Sequence, residues 1–319
     1  MLQQTRVGTV IPYYSAWLRS FPTVRELAEA SIDDVLKMWE GLGYYRRARH
    51  LHQAARQVME RFGGEVPSAA EALGTLPGIG ESTAGAIASI AFGAREPVLD
   101  GNVKRILCRL YLLGEGPDSP PATRELWRLA GRLLPDREAG VFNQALMDLG
   151  AMVCLPRNPE CGRCPVIQDC LARQSNAQDR IPVMAGRGKP LPHHDIAVGV
   201  IREGNRLLIE RRRDDAMLGG LWEFPGSRME PGETPAGCVA REVRETLGAE
   251  LRELHPFMTV KHAYSHFRIT MHVVECRYLG GCCEKTGHSD WRWAELGELD
   301  RFAFDTASRK VIRKLKEGT

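Results

Sequence analysis

The sequence predicts two domains of different class, an all-α N-terminal half followed by an α+β C-terminal half. Three observations carry this. Apolar residues recur at spacings of three and four from Thr5 to about Arg173, a stretch rich in Pro, Gly and charge follows, and beyond it the texture changes to short β-prone runs. The expected boundaries are 1–174, a linker at 175–194 ("SNAQDRIPVMAGRGKPLPHH") and 195–319. With 319 residues, 43% hydrophobic and 26% charged, the chain is long enough for two cores. No apolar run reaches membrane-spanning length, no secretory or transit signal is present, and a net charge of +3 is too small to argue for nucleic acid. Nine cysteines, an odd number without a signal peptide, disfavour a disulfide scaffold and point to a reducing compartment with metal or cluster ligation to test.

In chain order, "MLQQTRVGTVIPYY" runs straight into a periodic helix, and later helices are punctuated by "RSFPTV", "RFGGEVP", "LPGIG", "GAREP" and "GEGPDSPPA". Ser31 before "IDDVLKMW" and Ser68 before "AAEAL" read as helix N-caps. In "LPGIGESTAGAIASIAFG", Gly78 and Gly80 form a tight turn between two helices. Backbone N–H groups at the next helix N-terminus can there approach a phosphate, although Gly-x-Gly between helices is also a common structural turn. "LDGNVKRILCRL" follows, with Asp100 where another helix begins. Asp100 reads as an N-cap, and the helix terminus and Lys104 one turn on both favour its ionised form, which can stabilise an oxocarbenium-like sugar cation. In "CLPRNPECGRCPVIQDC", Cys154, Cys161, Cys164 and Cys170 are separated by six, two and five residues. Four thiolates in one short loop suit a tetrahedral metal or a cubane, and composition does not separate zinc from an iron-sulfur cluster. The other cysteines, Cys108, Cys238, Cys276, Cys282 and Cys283, lack such spacing.

The C-terminal half reads as strands at "IAVGVI", "RLLIE", "FRITMHVVECRY" and "DWRWAEL" with a helix at "GCVAREVRETLG".

Taken together, "LPGIG", Asp100 and the four-cysteine loop resemble the helix-hairpin-helix DNA glycosylase superfamily with a 4Fe-4S cluster. Within it, "MLQQTRVGTVIPYY", "WEGLGYYRRARHLH", "STAGAIASIAFG", "LDGNVKR", "NQALMDLGAMVC" and "GLWEFPG" resemble the MutY family of adenine DNA glycosylases, in order and across most of the chain. The resemblance implies an all-α helix-hairpin-helix domain (hairpin near 76–85, cluster loop 154–170) and a C-terminal α+β Nudix-like domain. It implies base-excision repair: monofunctional hydrolysis of adenine opposite 8-oxoguanine or guanine in double-stranded DNA, by a cytoplasmic, nucleoid-associated bacterial monomer with no membrane partner. The cluster assignment then outweighs zinc. Where endonuclease III-like glycosylase/lyases carry a lysine nucleophile just after "LPGIG", this chain has Ser82, which cannot form a Schiff base. Ser82 is expected to line the pocket, with Asn102 orienting Asp100.

Glycoside cleavage usually employs two carboxylates. The resemblance places the acid, a Glu, two residues ahead of "MLQQT", whereas the sequence starts at Met1. The chain as written is therefore expected to lack the acid and to bind lesions while turning over very slowly or not at all, as a lesion binder; Glu26, Glu40, Glu60 and Glu65 do not occupy the motif position. "FPGSRMEPGETPAGCVAREVRETLG" resembles a Nudix box in which Ser227 replaces the second glycine and Thr246 the last metal-binding Glu. This weakens a pyrophosphohydrolase reading, while Arg241, Glu242 and Glu245 of the box remain and leave weak residual metal binding open. In "HAYSHF", Tyr264, Ser265 and His266 are expected to read the 8-oxoguanine, with a polar hairpin turn as the alternative. Gln3, Gln4 and Tyr44 are implied to contact DNA beside the flipped adenine. Arg46, Arg47 and Arg49 are expected to give Tyr44 a DNA-facing surround, against simple core packing.

Overall fold

A computed structural model describes residues 1–3, 5–183, 190–264, 266–281 and 290–318. They form two units, residues 57–188 and residues 1–56 together with 189–319. The first unit is helical throughout, from the end of α4 (Arg46–Phe62) through α5 (Ala70–Gly74), α6 (Glu81–Phe92), α7 (Gly101–Leu110), α8 (Pro120–Leu133), α9 (Ala139–Met152) and α10 (Leu171–Gln174). Its core joins Val103 and Leu107 of α7 to Leu126, Leu129 and Ala130 of α8. The spacing of four within each helix puts these residues on one face. At several glycines a helix meets neighbouring chain so closely that a side chain has no room. A Cβ at Gly85 would lie 2.2 Å from Pro97 O, and one at Gly150 would lie 2.6 Å from Asn102 Cβ.

Ser31 caps α3 (Ile32–Trp39) by accepting from Asp34 N–H at 3.1 Å. Ser68 does not cap α5; that helix starts after Ala69 without a side-chain cap. Part of the expected linker is packed rather than free. Ala177 and Ile181 are buried in the helical core, and Ile181 O accepts from Arg109 Nε at 2.8 Å. Residues 184–189 lie outside the described ones.

The second unit combines α1 (Val7–Ser20), α2 (Val24–Glu29), α3 and the start of α4 with a mixed sheet. Its strands are β1 (His193–Glu203), β2 (Arg206–Arg211), β3 (Trp222–Glu223), β4 (Gly226–Arg228), β5 (Ala249–Ala263), β6 (Arg268–Gly281) and β7 (Asp290–Glu295). The order is β3-β2-β1-β6-β5, with β4 on β1 and β7 on β2; β1 and β6 run parallel and the other pairs are antiparallel. Val239, Val243 and Leu247 of α11 (Pro235–Leu247) pack in one apolar cluster with the sheet. Val311, Ile312 and Leu315 of α12 (Thr306–Glu317) pack in the other. The break at residue 56 falls inside the helical half drawn from the sequence. Its physical reason is that Leu36, Trp39 and Tyr45 share one buried cluster with Leu221 and Ala303.

Candidate active site

Asp100 is the N-cap of α7, its Oδ1 accepting from Val103 N–H at 2.8 Å. Ser82, in the first turn of α6, accepts from Leu99 N–H at 3.2 Å, which ties the hairpin helix to the residue before Asp100. Of the two hairpin glycines, Gly78 needs its residue type, at φ +77°. Gly80 has φ −88° and serves as the N-cap of α6, with open space where a Cβ would stand. The first-turn N–H groups of α6 are thus approachable by an anion.

Asn102 is held by a residue the sequence reading passed over. Arg105 Nη2 donates to Asn102 Oδ1 at 2.9 Å and to Gly150 O at 2.7 Å, while its Nε donates to Cys154 O at 2.8 Å. Lys104 does not serve Asp100 as expected, since its Nζ lies 2.7 Å from Asp118 Oδ1.

Cys154, Cys161, Cys164 and Cys170 line one cavity with Arg109 and Arg173. Arg109 is 2% exposed, and its guanidinium donates to Cys154 Sγ at 3.3 Å, Leu155 O at 2.7 Å and Pro156 O at 3.2 Å. Burial pushes the Cys161 and Cys164 thiols up, an effect that bound iron would offset by favouring their thiolates. Among the described residues no three such side chains converge on a single ion position. Four thiols lining one cavity match the all-cysteine donor set of an iron-sulfur cluster. The signal for both arginines was their spacing of four in "NVKRILCRL", which puts them on the same face of α7.

In the other unit a cavity of about 880 Å3 is lined by Tyr44, Arg46, Arg49, Tyr264, His266 and Asp305 among others. It brings together candidates from both ends of the chain. Tyr44 is 46% exposed at φ +51°. Arg47 turns inward: it stacks over the Tyr44 and Trp39 rings at 5.3 Å and donates to Met1 O at 2.8 Å, Thr5 Oγ1 at 3.0 Å and Gln3 O. It therefore pins the segment bearing Gln3. Arg49 pairs with Asp214 at 3.1 Å, which leaves Arg46 as the exposed arginine of the three.

Tyr264 stacks on Phe267 with centroids 4.7 Å apart, and its hydroxyl donates to Asp305 Oδ1 at 3.3 Å. Burial and Asp305 together push its phenol well above the usual range. His266 meets Phe267 edge-on. Gln4, Ser265, Cys282 and Cys283 lie outside the described residues. A second cavity of about 500 Å3, walled by Phe224, Phe267 and Met271, shares Tyr264, His266 and Asp305 with the first.

The alternative carboxylates are committed or peripheral. Glu26 closes a capping box with Thr23, Glu40 accepts from Phe304 N–H and Arg309, and Glu60 and Glu65 are exposed. In the degenerate box, Arg241 holds Glu233 at 2.9 Å and keeps its carboxyl at about 2, and it also reaches Glu245 at 3.5 Å. Thr246 Oγ1 donates to Glu242 O at 2.7 Å, back into its own helix. The Arg241 guanidinium thus offsets part of the charge of these carboxylates.

Comparison with known proteins agrees with this geometry. Residues 1–132 match the HhH-GPD superfamily of base excision DNA repair proteins, residues 154–170 the iron-sulfur binding domain of endonuclease III, and residues 197–314 the NUDIX domain. The cofactor is accordingly a 4Fe-4S cluster. The human adenine DNA glycosylase is 37% identical over 361 residues, covering 98% of this chain and 66% of the human protein. The chain thus spans about two thirds of that relative's length. The adenine DNA glycosylase of Buchnera aphidicola subsp. Schizaphis graminum is 34% identical over 274 residues, covering 86% of this chain and 76% of its own. A solved thermostable thymine-DNA glycosylase is similar with a TM-score of 0.50 at 29% identity, over 55% of this chain and 80% of that one. No helix among the described residues is long and apolar enough to cross a membrane.

Proposed function

The chain belongs to the adenine DNA glycosylase family of base-excision repair, and from that premise we propose that it hydrolyses the N-glycosidic bond of adenine mispaired with 8-oxoguanine or guanine in double-stranded DNA. It acts as a monofunctional monomer on nucleoid DNA in a bacterial cytoplasm. The observation that carries the reading is Asp100, held at the N-terminus of α7 and tied through Leu99 to a hydroxyl, Ser82, where a lyase would need an amine.

In the reaction the bond from the sugar to adenine breaks, the base departs with a proton, and water supplies the hydroxyl that joins the sugar carbon. The Asp100 carboxylate faces the oxocarbenium-like sugar, whose positive charge it stabilises. Asn102, steadied by Arg105, orients it. Gly78 and Gly80 offer backbone N–H groups to a phosphate, and Lys104 lies one turn from the same helix N-terminus. Cys154, Cys161, Cys164 and Cys170 hold the 4Fe-4S cluster, which supplies a cross-link for the loop that Arg109 packs against. Gln3, Gln4 and Tyr44 contact the strand beside the extruded adenine, and Tyr264, Ser265 and His266 read the opposite 8-oxoguanine.

The departing adenine takes its proton from a general acid. General acid catalysis contributes roughly 10²–10⁴-fold. The protein is expected to prefer 8-oxoguanine:adenine duplexes over undamaged ones and to release adenine from them. Single-turnover assays on both duplexes, scored for free adenine and an alkali-labile abasic site, test this. Efficient borohydride trapping with strand cleavage would instead establish a lyase, and release of pyrophosphate from oxidised dGTP at enzymatic rates would establish a Nudix hydrolase.

A further inference from the structure

The walls of the larger cavity come from distant parts of the sequence, yet one short segment touches both. Phe302, Ala303, Phe304 and Asp305 lead into α12, and the segment is fastened to β3, where Trp222 N–H donates to Ala303 O at 2.9 Å. On one side, Phe304 N–H donates to Glu40 Oε1 at 2.8 Å and Tyr45 Oη donates to Phe304 O at 3.3 Å. The Tyr45 hydroxyl also accepts from Gly41 N–H at 3.1 Å, which closes the turn bearing Tyr44 in its left-handed conformation. On the other side, Asp305 Oδ1 accepts from Tyr264 Oη at 3.3 Å while the same carboxylate caps α12 through Ala307 N–H at 2.7 Å. Tyr45 is 5% exposed, Phe304 0% and Asp305 7%. An unmade hydrogen bond here would be costly, so the contacts specify one geometry.

We propose that Phe304–Asp305 is a positioning strap that sets the distance between the Tyr44 wall and the Tyr264–His266 wall, with Glu40, Tyr45 and Asp305 as its anchors. The inference rests on the proposed function in one respect: the ligand that must fit between the walls is the mispaired duplex. A left-handed non-glycine residue persists only where its surroundings over-determine it, and the strap supplies that constraint to Tyr44 from across the cavity. None of the anchors is placed in contact with the reacting bond, so they are positioning residues.

Two measurements on the 319-residue chain test the strap. In DNA-free protein, Tyr45→Phe removes one hydroxyl from the first wall and should speed amide exchange in residues 262–267 of the opposite wall by about fivefold, as for one lost hydrogen bond. Tyr264→Phe should do the same to residues 41–47. Unchanged exchange on the far wall in both variants would overturn the strap whatever the protein binds.

With duplexes, the ratio of affinities for 8-oxoguanine:adenine and undamaged DNA should fall in each variant. It should fall no further in the double variant, because both changes release the same segment; additive losses would overturn the coupling. Glu40→Gln, which keeps an oxygen for Phe304 N–H, should lose less of that ratio than Glu40→Ala; equal losses would exclude that hydrogen bond as an anchor. A native chain with no preference for the lesion would sink the functional reading, while the exchange experiment still decides the strap.

Discussion

Asp100 shows how one residue serves structure and chemistry with the same oxygen. Its Oδ1 satisfies Val103 N–H, a capping role that asparagine fills about as well as aspartate. Asp100→Asn should therefore leave the melting temperature nearly unchanged while lowering single-turnover adenine release by roughly 10²-fold or more, since it removes the charge facing the sugar cation. The check is to measure both on the same preparation; equal loss of stability and rate would reassign Asp100 to a structural part. Arg109 is the contrasting case. Its buried guanidinium satisfies a thiol sulfur and several carbonyls, so Arg109→Met should leave those acceptors unpaired. Iron content should drop several-fold, with faster loss of the cluster on dilution.

Among elements, the crossing of α7 and α9 governs where Asn102 stands. The clash predicted for a Cβ at Gly150 is with Asn102 Cβ, an atom fixed to the backbone, so it cannot be relieved by swinging a flexible side-chain end. Gly150→Ala should cost about 1–3 kcal/mol, seen as a lower melting temperature, and should slow adenine release further by displacing Asn102. A variant as stable and active as the parent would mean that the helices part without moving the site. The hairpin, α7 and the cysteine loop were legible from spacing because each depends on local rules: a left-handed glycine, a cap, ligands within one loop. Strand β5 was not. "AELRELHPFMTVKHA" mixes charge, His and Pro, pairs only with β6 at the sheet edge, and carries register shifts between Glu250 and Leu251, Arg252 and His255, and Pro256 and Met258. An irregular edge strand shows no clean alternation to read.

Over the whole molecule, three histidines make stability depend on pH. Burial holds the His52 imidazole low, burial likewise lowers His262, partly offset by Asp305, and burial with Arg46 and Arg49 lowers His50. The unfolded chain accepts protons that these folded-state groups refuse, so their contribution is present above the ordinary imidazole value of about 6.5 and is lost as pH falls through and below it. Melting temperature should decline between about pH 7.5 and about pH 5.5. His52→Gln retains a donor for Ala30 O and cannot titrate, so it should decline less; an equal decline would assign the effect to other groups.

The family, the two structural classes, the cluster loop and the Asp100 corner follow from the sequence itself, because periodicity, caps, turn glycines and short ligand spacings are encoded among near neighbours. Which arginines face outward, and how Tyr44 comes to share a cavity with Tyr264, depend on partners far away in the chain. Arg47 turns inward because the carbonyls of Met1 and Gln3 need a donor. Glu40 is held by Arg309 and Phe304 across more than 260 positions. Residues 1–56 join the C-terminal sheet because Leu36 and Trp39 bury with Leu221 and Ala303. Burial and hydrogen-bond satisfaction over such separations have no local pattern, so only the tertiary structure decides them.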